Sequence, residues 1–574
     1  MSWKANISRH YTKNIGRGTG RYFLAILLIT LFIAAVASRL FWLQIVHGDR
    51  YFELASRQQG FQRILEPERG NIYLKTLQGE RLSAATTKVG ARIFIDMRAL
   101  KDEDAVFKKL SEITEINRET FDKILKKPQD PYEILKRRIN LAEAEKILAM
   151  RLPGVGLEEE RWREYHGGVS AGHVLGFVSA FENKGEYGIE KYFDEILKGR
   201  RGSVSGDTDA RGLLLALTDP TEIDAEAGSD IVLTLEANVQ KEAEKELAKL
   251  ALRWHALSGG ILILEPKTGI IRAMAALPAF DPNQYQKEKE LEVFLNPFVE
   301  KIFELGSVFK PLTLAAAIDQ GAITPETTYI DEGEVKIGGR VIKNFDEKAR
   351  GLRTMTQVLE ESLNTGAVFA MQRLGGKKLD EYFTLYGFKE KTGIELPGEL
   401  RGDLSNLTTG REVEYATASF GQGIAVTPLE FAMAISSLAN GGKLMKPIIR
   451  EGDFEKLIRQ TVKPETSTAM SRMLVDVVDR VLAGGKVKME HYTIAAKTGT
   501  AQIPTSRLGG AKPGYSDQFM HSFFGYFPAY DPKFLIFMFL DRPQGVKYAS
   551  QSLSDSFKSL VEFLINYYTI SPDR

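Results

Sequence analysis

The feature that most constrains this chain is a basic leader that runs into an uncharged apolar stretch. Residues 1–21 carry five lysines and arginines and no acidic residue, and Tyr22–Ser38 (YFLAILLITLFIAAVAS) runs for 17 residues without a charge. The apolar pattern resumes after Arg39 as LFWLQIV. About 20 apolar residues in a helix cross the hydrocarbon core of a bilayer, and an arginine near the end can extend its charge to the interface. The pattern therefore predicts a transmembrane anchor over 22–46.

The charges around this helix predict its orientation. Because basic segments stay on the cytoplasmic side, the leader is expected inside and everything after the helix outside the cytoplasmic membrane, in a single-pass arrangement. The alternative is a cleaved signal peptide, since Ala35-Val36-Ala37 matches the small-x-small cleavage pattern. The apolar run is longer than a usual signal core and continues to Val46, which favours a retained anchor.

Composition excludes several classes of protein. With 574 residues the chain is expected to form two to four domains, and its net charge of +1 argues against nucleic acid as a partner. The absence of cysteine rules out disulfides, thiol catalysis and cysteine metal sites. His166 and His173 have too few ligand-type neighbours for a metal site, so we interpret them as structural or exposed and expect neither a metal nor a cofactor.

The composition and the regularity of the sequence change near residue 236. Residues 47–235 are charge-rich and irregular, whereas the later part alternates predicted helices and apolar strands. The predicted elements are an amphipathic helix (EANVQKEAEKELAKLALRW), a hairpin (ILILEPKTGIIRAMAA), strands in TIAAKTGT and FLIFMFLDRP, and a final helix spaced by Leu553, Phe557, Leu560, Val561 and Leu564. Strands at both ends of this region, with helices between them, predict one α/β domain whose terminal segments share a sheet.

Residues 304–312 (ELGSVFKPL) suggest a catalytic function. Pro311 fits only the first turn of a helix, so the helix that continues through LTLAAAID is predicted to begin close to Ser307. Lys310 then lies on the same face as Ser307, among the free N–H groups of that turn. The functional interpretation is a nucleophile with an adjacent base, and the alternative is a serine cap beside a solvated lysine.

Two further motifs strengthen the functional interpretation. ESLNTG places Ser362 and Asn364 near the end of a predicted helix, TMTQVLEESLN, and KTGT places Lys497–Thr500 on a predicted strand. Each motif alone is weak. The order S-x-x-K, S-x-N and K-T-G, however, is the motif set of penicillin-binding proteins and class A β-lactamases.

With these motifs the chain resembles a class B penicillin-binding protein, a monofunctional peptidoglycan DD-transpeptidase, over nearly everything after the tail. The other stretches that carry the resemblance are RGNIY (69–73), GIEKYFDEILKG (188–199), LTLEANVQ (233–240), EPKTGIIRAMAALPAFDPN (265–283), SFGQGIAVTPLEFAMAISSLANGG (419–442) and KTGTAQ (497–502). Two departures are SLN, where many members have SSN, and RGNIYLKT, which lacks the usual aspartate.

The resemblance implies a domain plan. A cytoplasmic tail (1–21) and the anchor (22–46) precede an elongated mixed α/β pedestal domain of the dimerisation type (47–235). A catalytic domain with the serine transpeptidase and β-lactamase-like α/β (α+β) fold, a sheet covered by helices, occupies 236–574.

The resemblance also implies a role for each motif residue. Ser307 would be the nucleophile, Lys310 its base, and Ser362 the bridge that passes the proton to the leaving D-alanine. Asn364 would bind the peptide backbone of the substrate. The remaining residues would bind the terminal carboxylate (Lys497, Thr498, Thr500) or let the strand approach the substrate (Gly499), while the N–H groups of Ser307 and Thr500 would form an oxyanion hole.

The expected reaction is the cross-linking of stem peptides that end in D-Ala-D-Ala, with β-lactams as covalent inhibitors. The closing SFFGYFPAYDPKFLIFMFLDRP resembles the septal type of this family more than the elongation type. The expected protein partners are therefore a membrane-embedded glycan polymerase and other division proteins. The alternatives are an elongation-type transpeptidase, a serine hydrolase of the β-lactamase or carboxypeptidase kind, and a catalytically idle scaffold. The length argues against a β-lactamase, and the intact motifs argue against an idle scaffold.

Overall fold

The computed structural model describes residues 15–43, 60–127, 132–179, 183–207, 221–509 and 514–574. These residues divide into two compact units. One unit comprises Met1–Glu68 with Gly199–Ala227, and the other comprises Arg69–Lys198 with Gly228–Arg574. The predicted boundary between pedestal and catalytic domains at residues 235 and 236 stays a prediction.

The first unit contains the predicted anchor. A helix spans Ile15–Phe41, and its Leu24–Phe41 part is long and apolar enough to cross a membrane. The guanidinium of Arg39 lies 4.8 Å from the centre of the Trp42 ring, an Arg–Trp pair of the kind that suits a membrane interface. Residues 1–14 of the predicted tail and 44–46 of the predicted anchor lie outside the described residues. The same unit contains an antiparallel sheet of three strands, Gly60–Leu65, Gly202–Asp207 and Thr221–Ile223.

The second unit begins with a mixed sheet. Its strands are Glu133–Ile139, Arg81–Ile95, Ile72–Lys75 and Ile231–Glu236 in spatial order, with Val155–Tyr165 also paired to Arg81–Ile95. Three helices cover it: Glu103–Ser111, Arg118–Leu125 and Leu141–Ala149. Each helix buries two apolar residues three or four positions apart, such as Val106 and Leu110, because that spacing places both on one helix face.

A buried ion network joins two of the stretches that resemble the penicillin-binding family. Arg69 of RGNIY donates from Nε to Glu190 of GIEKY over 2.8 Å, and Arg163 donates to the other oxygen of the same carboxylate over 2.6 Å. The Glu190 side chain is fully buried. Arg69 also pairs with Asp194 over 2.8 Å, so removal of the Glu190 carboxylate would leave Arg163 without this partner and Arg69 with Asp194 as its remaining carboxylate.

The central sheet of the second unit confirms the prediction that distant segments share one sheet. Its five antiparallel strands, in spatial order, are Ile271–Leu277, Ser258–Leu264, Phe534–Asp541, Tyr515–Phe527 and Ala495–Pro504. The predicted hairpin around residue 266 supplies the first two strands. The strand Ala495–Pro504, named here the KTGT strand, lies at one edge of the sheet.

Both faces of this sheet are buried. Phe523 stacks on Phe557 of the C-terminal helix with ring centres 4.4 Å apart, and its neighbour Phe524 packs against Phe431 of another helix at 6.1 Å. Successive residues of a strand point to opposite faces, so this strand contacts a helical layer on each side. Double coverage explains why Phe534–Asp541 is buried at every position and reads as a continuous apolar run.

The second unit also contains further helices, turns and small strands. The longer helices are Ala237–Trp254, Lys310–Asp319, Asn364–Leu374, Gly376–Leu385, Pro428–Ala439, Pro464–Arg480 and Ser554–Tyr567. The short helices and 3₁₀ turns are Gly172–Leu175, Gly188–Tyr192, Asp194–Leu197, Pro282–Lys287, Leu291–Phe294, Gly306–Phe309, Met355–Glu360, Ser405–Thr409, Glu412–Ala418, Leu482–Gly485, Thr505–Leu508 and Ala549–Ser552. The small strands are Thr328–Asp331, Glu334–Ile337, Arg340–Lys343, Gly351–Thr354, Lys443–Met445 and Leu457–Gln460. The predicted amphipathic helix and C-terminal helix are thereby confirmed.

Candidate active site

Ser307 lies in a tight turn that opens a buried helix. The 3₁₀ turn Gly306–Phe309 continues directly into the helix Lys310–Asp319, with Pro311 in its first turn as predicted. Gly306 has φ +67°, and a β carbon there would come within 2.9 Å of the Ala501 β carbon. Glycine at 306 thus permits both the turn and the close approach of the KTGT strand.

Ser362 lies between two helices, because the predicted helix TMTQVLEESLN ends earlier than the sequence indicated. The helix Met355–Glu360 ends before it, and Asn364 begins the next helix, Asn364–Leu374. Ser362 has φ +55°, a left-handed conformation that is rare for a residue with a β carbon and that interrupts the helix. Backbone outliers of this kind concentrate at functional sites.

The left-handed turn at Ser362 presents two oxygens to Lys310. The Lys310 Nζ donates to the Ser362 carbonyl over 2.5 Å and lies 3.2 Å from the Ser362 Oγ. The same Nζ lies 3.0 Å from the Ser307 Oγ. Burial, helped by the positive charge of Lys497, lowers the pKa of Lys310 well below its usual value. The burial that lowers this pKa favours the neutral form of the amine, and the amine touches both serine hydroxyls.

Lys497 approaches the same hydroxyl from the KTGT strand. Its Nζ donates to the Ser362 Oγ over 2.9 Å and to the Thr498 carbonyl over 3.2 Å. Burial lowers the pKa of Lys497 to about 7. The structure thus brings four of the predicted residues, which come from three distant segments, into one hydrogen-bonded cluster: Ser307, Lys310, Ser362 and Lys497.

The other residues of the KTGT strand are placed differently. Thr498 is half-buried, and the Thr500 Oγ1 accepts a hydrogen bond from the Ala549 N–H over 3.0 Å. A β carbon at Gly499 would lie 2.5 Å from both the Leu305 carbonyl and the Ser522 hydroxyl. The close approach that requires glycine here is therefore between the strand and the protein's own Ser307 turn, which the sequence did not indicate.

Asn364 bonds residues 343 and 344 and, like Thr500, makes no hydrogen bond to the cluster among the described residues. Its Nδ2 donates to the Lys343 carbonyl over 2.8 Å, and its backbone N–H donates to the Asn344 Oδ1 over 2.9 Å. Asn344 in turn bonds the buried carboxylate of Asp331. Sequence reasoning missed Asp331 and Asn344, although the Gly338-Gly339 turn between EVKI and RVIK is a hairpin signal that places the flanks of the hairpin together.

Glu304 is the carboxylate closest in sequence to Ser307. Its Oε2 accepts hydrogen bonds from the Gly423 N–H and the Tyr515 hydroxyl, each over 3.0 Å. Burial raises the pKa of Glu304. His173, by contrast, is a buried histidine whose Nε2 lies 3.0 Å from the Val293 carbonyl, in keeping with a structural role.

Comparison with known families identifies the fold. Residues 259–562 match the penicillin binding protein transpeptidase domain, and residues 64–233 match the penicillin-binding protein dimerisation domain. Together the two matches define a penicillin-binding protein with a mixed α/β transpeptidase fold. More particularly, the chain belongs to the class B penicillin-binding proteins.

Individual relatives support the same assignment. Stage V sporulation protein D of Bacillus subtilis is 32% identical over 545 residues, which cover 92% of this chain and 82% of the relative. Peptidoglycan D,D-transpeptidase FtsI of Escherichia coli is 26% identical over 556 residues, which cover 95% and 91%. The crystal structure of Penicillin Binding Protein 2X from Streptococcus thermophilus has a TM-score of 0.72 at 20% identity over 88% of this chain and 81% of that one, a likeness of fold.

Proposed function

We propose that this chain is a serine D-Ala-D-Ala transpeptidase that cross-links peptidoglycan stem peptides through an acyl-enzyme on Ser307. The observation that carries the proposal is the chain of contacts from the Ser307 hydroxyl through Lys310 and Ser362 to Lys497. Family membership supports the reaction, and the relative named FtsI is described as a peptidoglycan D,D-transpeptidase.

The first step is acylation. The Ser307 hydroxyl gives its proton to the neutral amine of Lys310, 3.0 Å away, while its oxygen attacks the carbonyl carbon of the penultimate D-alanine. The backbone N–H groups of Ser307 and Thr500 stabilise the oxyanion that forms, a contribution of about 3 kcal/mol per donor. Thr498 and Lys497 bind the terminal carboxylate, and Asn364 binds the peptide backbone.

Ser362 then carries the proton to the leaving group. Its hydroxyl lies 3.2 Å from Lys310 and 2.9 Å from Lys497, so it can pass a proton from one amine towards the substrate nitrogen. The C–N bond breaks, D-alanine leaves with that proton, and the substrate stays attached to Ser307 as an ester. The amine of a second stem peptide next attacks the ester, and its proton returns to the Ser307 oxygen.

The fate of the ester separates a transpeptidase from a hydrolase. A hydrolase must position and activate water, usually with a dedicated carboxylate. Glu304 is engaged by the Gly423 N–H and the Tyr515 hydroxyl, and the cluster itself consists of serines and lysines. We therefore favour transfer of the stem peptide to an amine over its hydrolysis, and we expect slow hydrolysis of the ester that a β-lactam forms.

The proposed setting is septal cell-wall synthesis at the outer face of the cytoplasmic membrane. Family relatives named FtsI favour the septal role over elongation, and the basic leader before the apolar helix supports a cytoplasmic N-terminus. The expected partners are a membrane-embedded glycan polymerase and other division proteins.

Two experiments test this function. The purified full-length protein, given a donor peptide ending in D-Ala-D-Ala and an amine acceptor, should release D-alanine and form the cross-linked product. Release of D-alanine with hydrolysed donor alone would instead indicate a carboxypeptidase. A fluorescent fusion should concentrate at the division site, whereas a continuous sidewall signal would assign the protein to elongation.

A further inference from the structure

The segment between the first two motifs folds back onto the Ser362 turn. It forms two antiparallel strand pairs, Thr328–Asp331 with Gly351–Thr354 and Glu334–Ile337 with Arg340–Lys343. Asp331 ends the first strand, and Asn344 directly follows the strand Arg340–Lys343. The pairing thus brings two polar residues, 331 and 344, next to the start of the helix Asn364–Leu374.

Asn344 binds the first N–H groups of that helix. Its Oδ1 accepts from the Asn364 N–H over 2.9 Å and from the Thr365 N–H over 3.3 Å. The first N–H groups of a helix have no partner within the helix, and a side-chain oxygen from another segment satisfies them here. Asn344 is 2% exposed, so water does not compete for these contacts.

Asp331 orients the Asn344 amide. Its carboxylate oxygens accept from the Asn344 Nδ2 over 2.9 Å and 3.1 Å, and one of them also accepts from the Thr365 hydroxyl over 2.7 Å. Backbone N–H groups of Gly333 and Arg350 donate to the same carboxylate. Asp331 is 1% exposed, and a carboxylate so placed requires the NH₂ end of the amide to face it. The Asn344 oxygen must therefore face the helix.

The other side of the Ser362 turn is held by the same segment. Glu361, directly before Ser362, accepts from the Arg350 Nε over 3.1 Å and from the Arg353 Nε over 2.6 Å. Residues on both sides of the turn, 361 and 364, are thus bound by side chains from 344–353. A serine keeps a left-handed backbone conformation only where surrounding contacts stabilise it. The contacts on both sides of Ser362 provide this stabilisation.

We propose that Asp331 and Asn344 are positioning residues that fix the Ser362 hydroxyl between Lys310 and Lys497. The inference rests on the proposed function, because the two residues are proposed to set the geometry of proton transfer during acylation. Neither side chain joins the hydrogen-bonded cluster of Ser307, Lys310, Ser362 and Lys497. Both act through the turn that carries Ser362, so their replacement lowers the rate of the covalent step more than the affinity of the preceding complex.

The test is a double-mutant cycle on the detergent-solubilised full chain with a fluorescent penicillin. The first-order acylation constant and the half-saturating concentration are measured separately, and rates are normalised to the amplitude of labelling so that unfolded protein does not count. Asn344→Ala should lower the acylation constant at least tenfold and change the half-saturating concentration by less than threefold. In a Ser362→Ala background the same substitution should lower the acylation constant less than twofold, because the hydroxyl that Asn344 positions is already absent.

Three further variants separate positioning from folding. Thr365→Val removes one donor to Asp331 with little change of shape and should lower the acylation constant, whereas Thr365→Ser should retain it. Asp319→Asn is the control, since Asp319 is also buried and accepts from the Tyr382 hydroxyl and the Lys463 N–H, on contacts away from the turn. It should lower the melting temperature and leave the acylation constant within twofold.

The outcomes distinguish the two proposals. One contrary outcome is that Asn344→Ala lowers the acylation constant equally with and without the Ser362 hydroxyl, and another is that it lowers the constant by no more than Asp319→Asn does. Either result would overturn the positioning role and leave the proposed transpeptidase function intact. A wild-type chain that forms no covalent adduct would overturn both.

Discussion

The Lys497 amine donates to the Ser362 hydroxyl over 2.9 Å, and both groups come from segments that are remote in sequence. The contact places a second amine beside the hydroxyl that already touches Lys310. Burial of this amine lowers its pKa to about 7, so Lys497 can exchange protons near neutral pH, and burial lowers the pKa of Lys310 as well. In the proposed mechanism, the two amines activate a serine without a histidine partner.

The first prediction concerns the nucleophile. Because the Ser307 Oγ is the hydroxyl that Lys310 can deprotonate, Ser307→Ala should abolish covalent labelling by a fluorescent penicillin while the melting temperature stays within a few degrees. Gel fluorescence after denaturation checks this. Ser405→Ala, at an exposed serine outside the cluster, should label normally. Labelling that survives in Ser307→Ala would mean that another nucleophile is used.

The second prediction concerns the lifetime of the acyl-enzyme. The carboxylate closest in sequence to Ser307, that of Glu304, is engaged by Gly423 and Tyr515 and is not expected to activate water. A chromogenic β-lactam should therefore give a burst of about one equivalent per protein, followed by almost no further turnover. Stopped-flow absorbance followed over an hour measures both phases, and sustained turnover at many per second would contradict the assignment.

The third prediction is a pH dependence of stability. Lys497 has a pKa of about 7 in the folded chain and 10.5 as its ordinary value, so between these values the unfolded state holds one more proton. The free energy of unfolding of the wild type should therefore rise with pH relative to Lys497→Met, by about 1.4 kcal/mol per unit. Melting temperatures of both proteins between pH 7.5 and 9.5 test this. A difference that does not change with pH would refute the burial of a neutral amine.

The fourth prediction concerns the buried ion network. Glu190→Ala leaves Arg69 and Arg163 as buried cations without their shared carboxylate and should destabilise the fold by about 3–5 kcal/mol. Glu158→Ala is the matched control, because Glu158 pairs with Arg92 while 45% exposed and should cost less than about 1 kcal/mol. Chemical denaturation of both variants provides the measurement, and similar midpoints for the two would argue against the network.

The fifth prediction concerns the N-terminus. The helix Ile15–Phe41 continues through the small-residue pattern at 35–37 without a break, as a retained anchor requires. The mature protein should fractionate with membranes and keep its leader. N-terminal sequencing decides the matter, since a mature chain that starts at Ser38 would show cleavage after Ala37.

Local patterns in the sequence determined much of this protein. Pro311 marked the start of the Ser307 helix, because proline tolerates only the first helical turn. The apolar runs at 261–276 and 534–543 identified strands of one sheet, because full burial selects continuous apolar residues. The motif order identified the family, which the comparisons confirm.

The tertiary structure decided what depends on contacts between distant segments. The sequence placed Ser362 near the end of a helix, but it did not indicate the left-handed conformation or the contacts that Asn344 and Glu361 make with other segments on either side of it. Gly499 was expected to make room for a substrate, yet the atoms that a side chain would strike belong to Leu305 and Ser522. The lowered pKa values of both lysines likewise arise from burial, a property of the packed molecule that no local pattern of residues encodes.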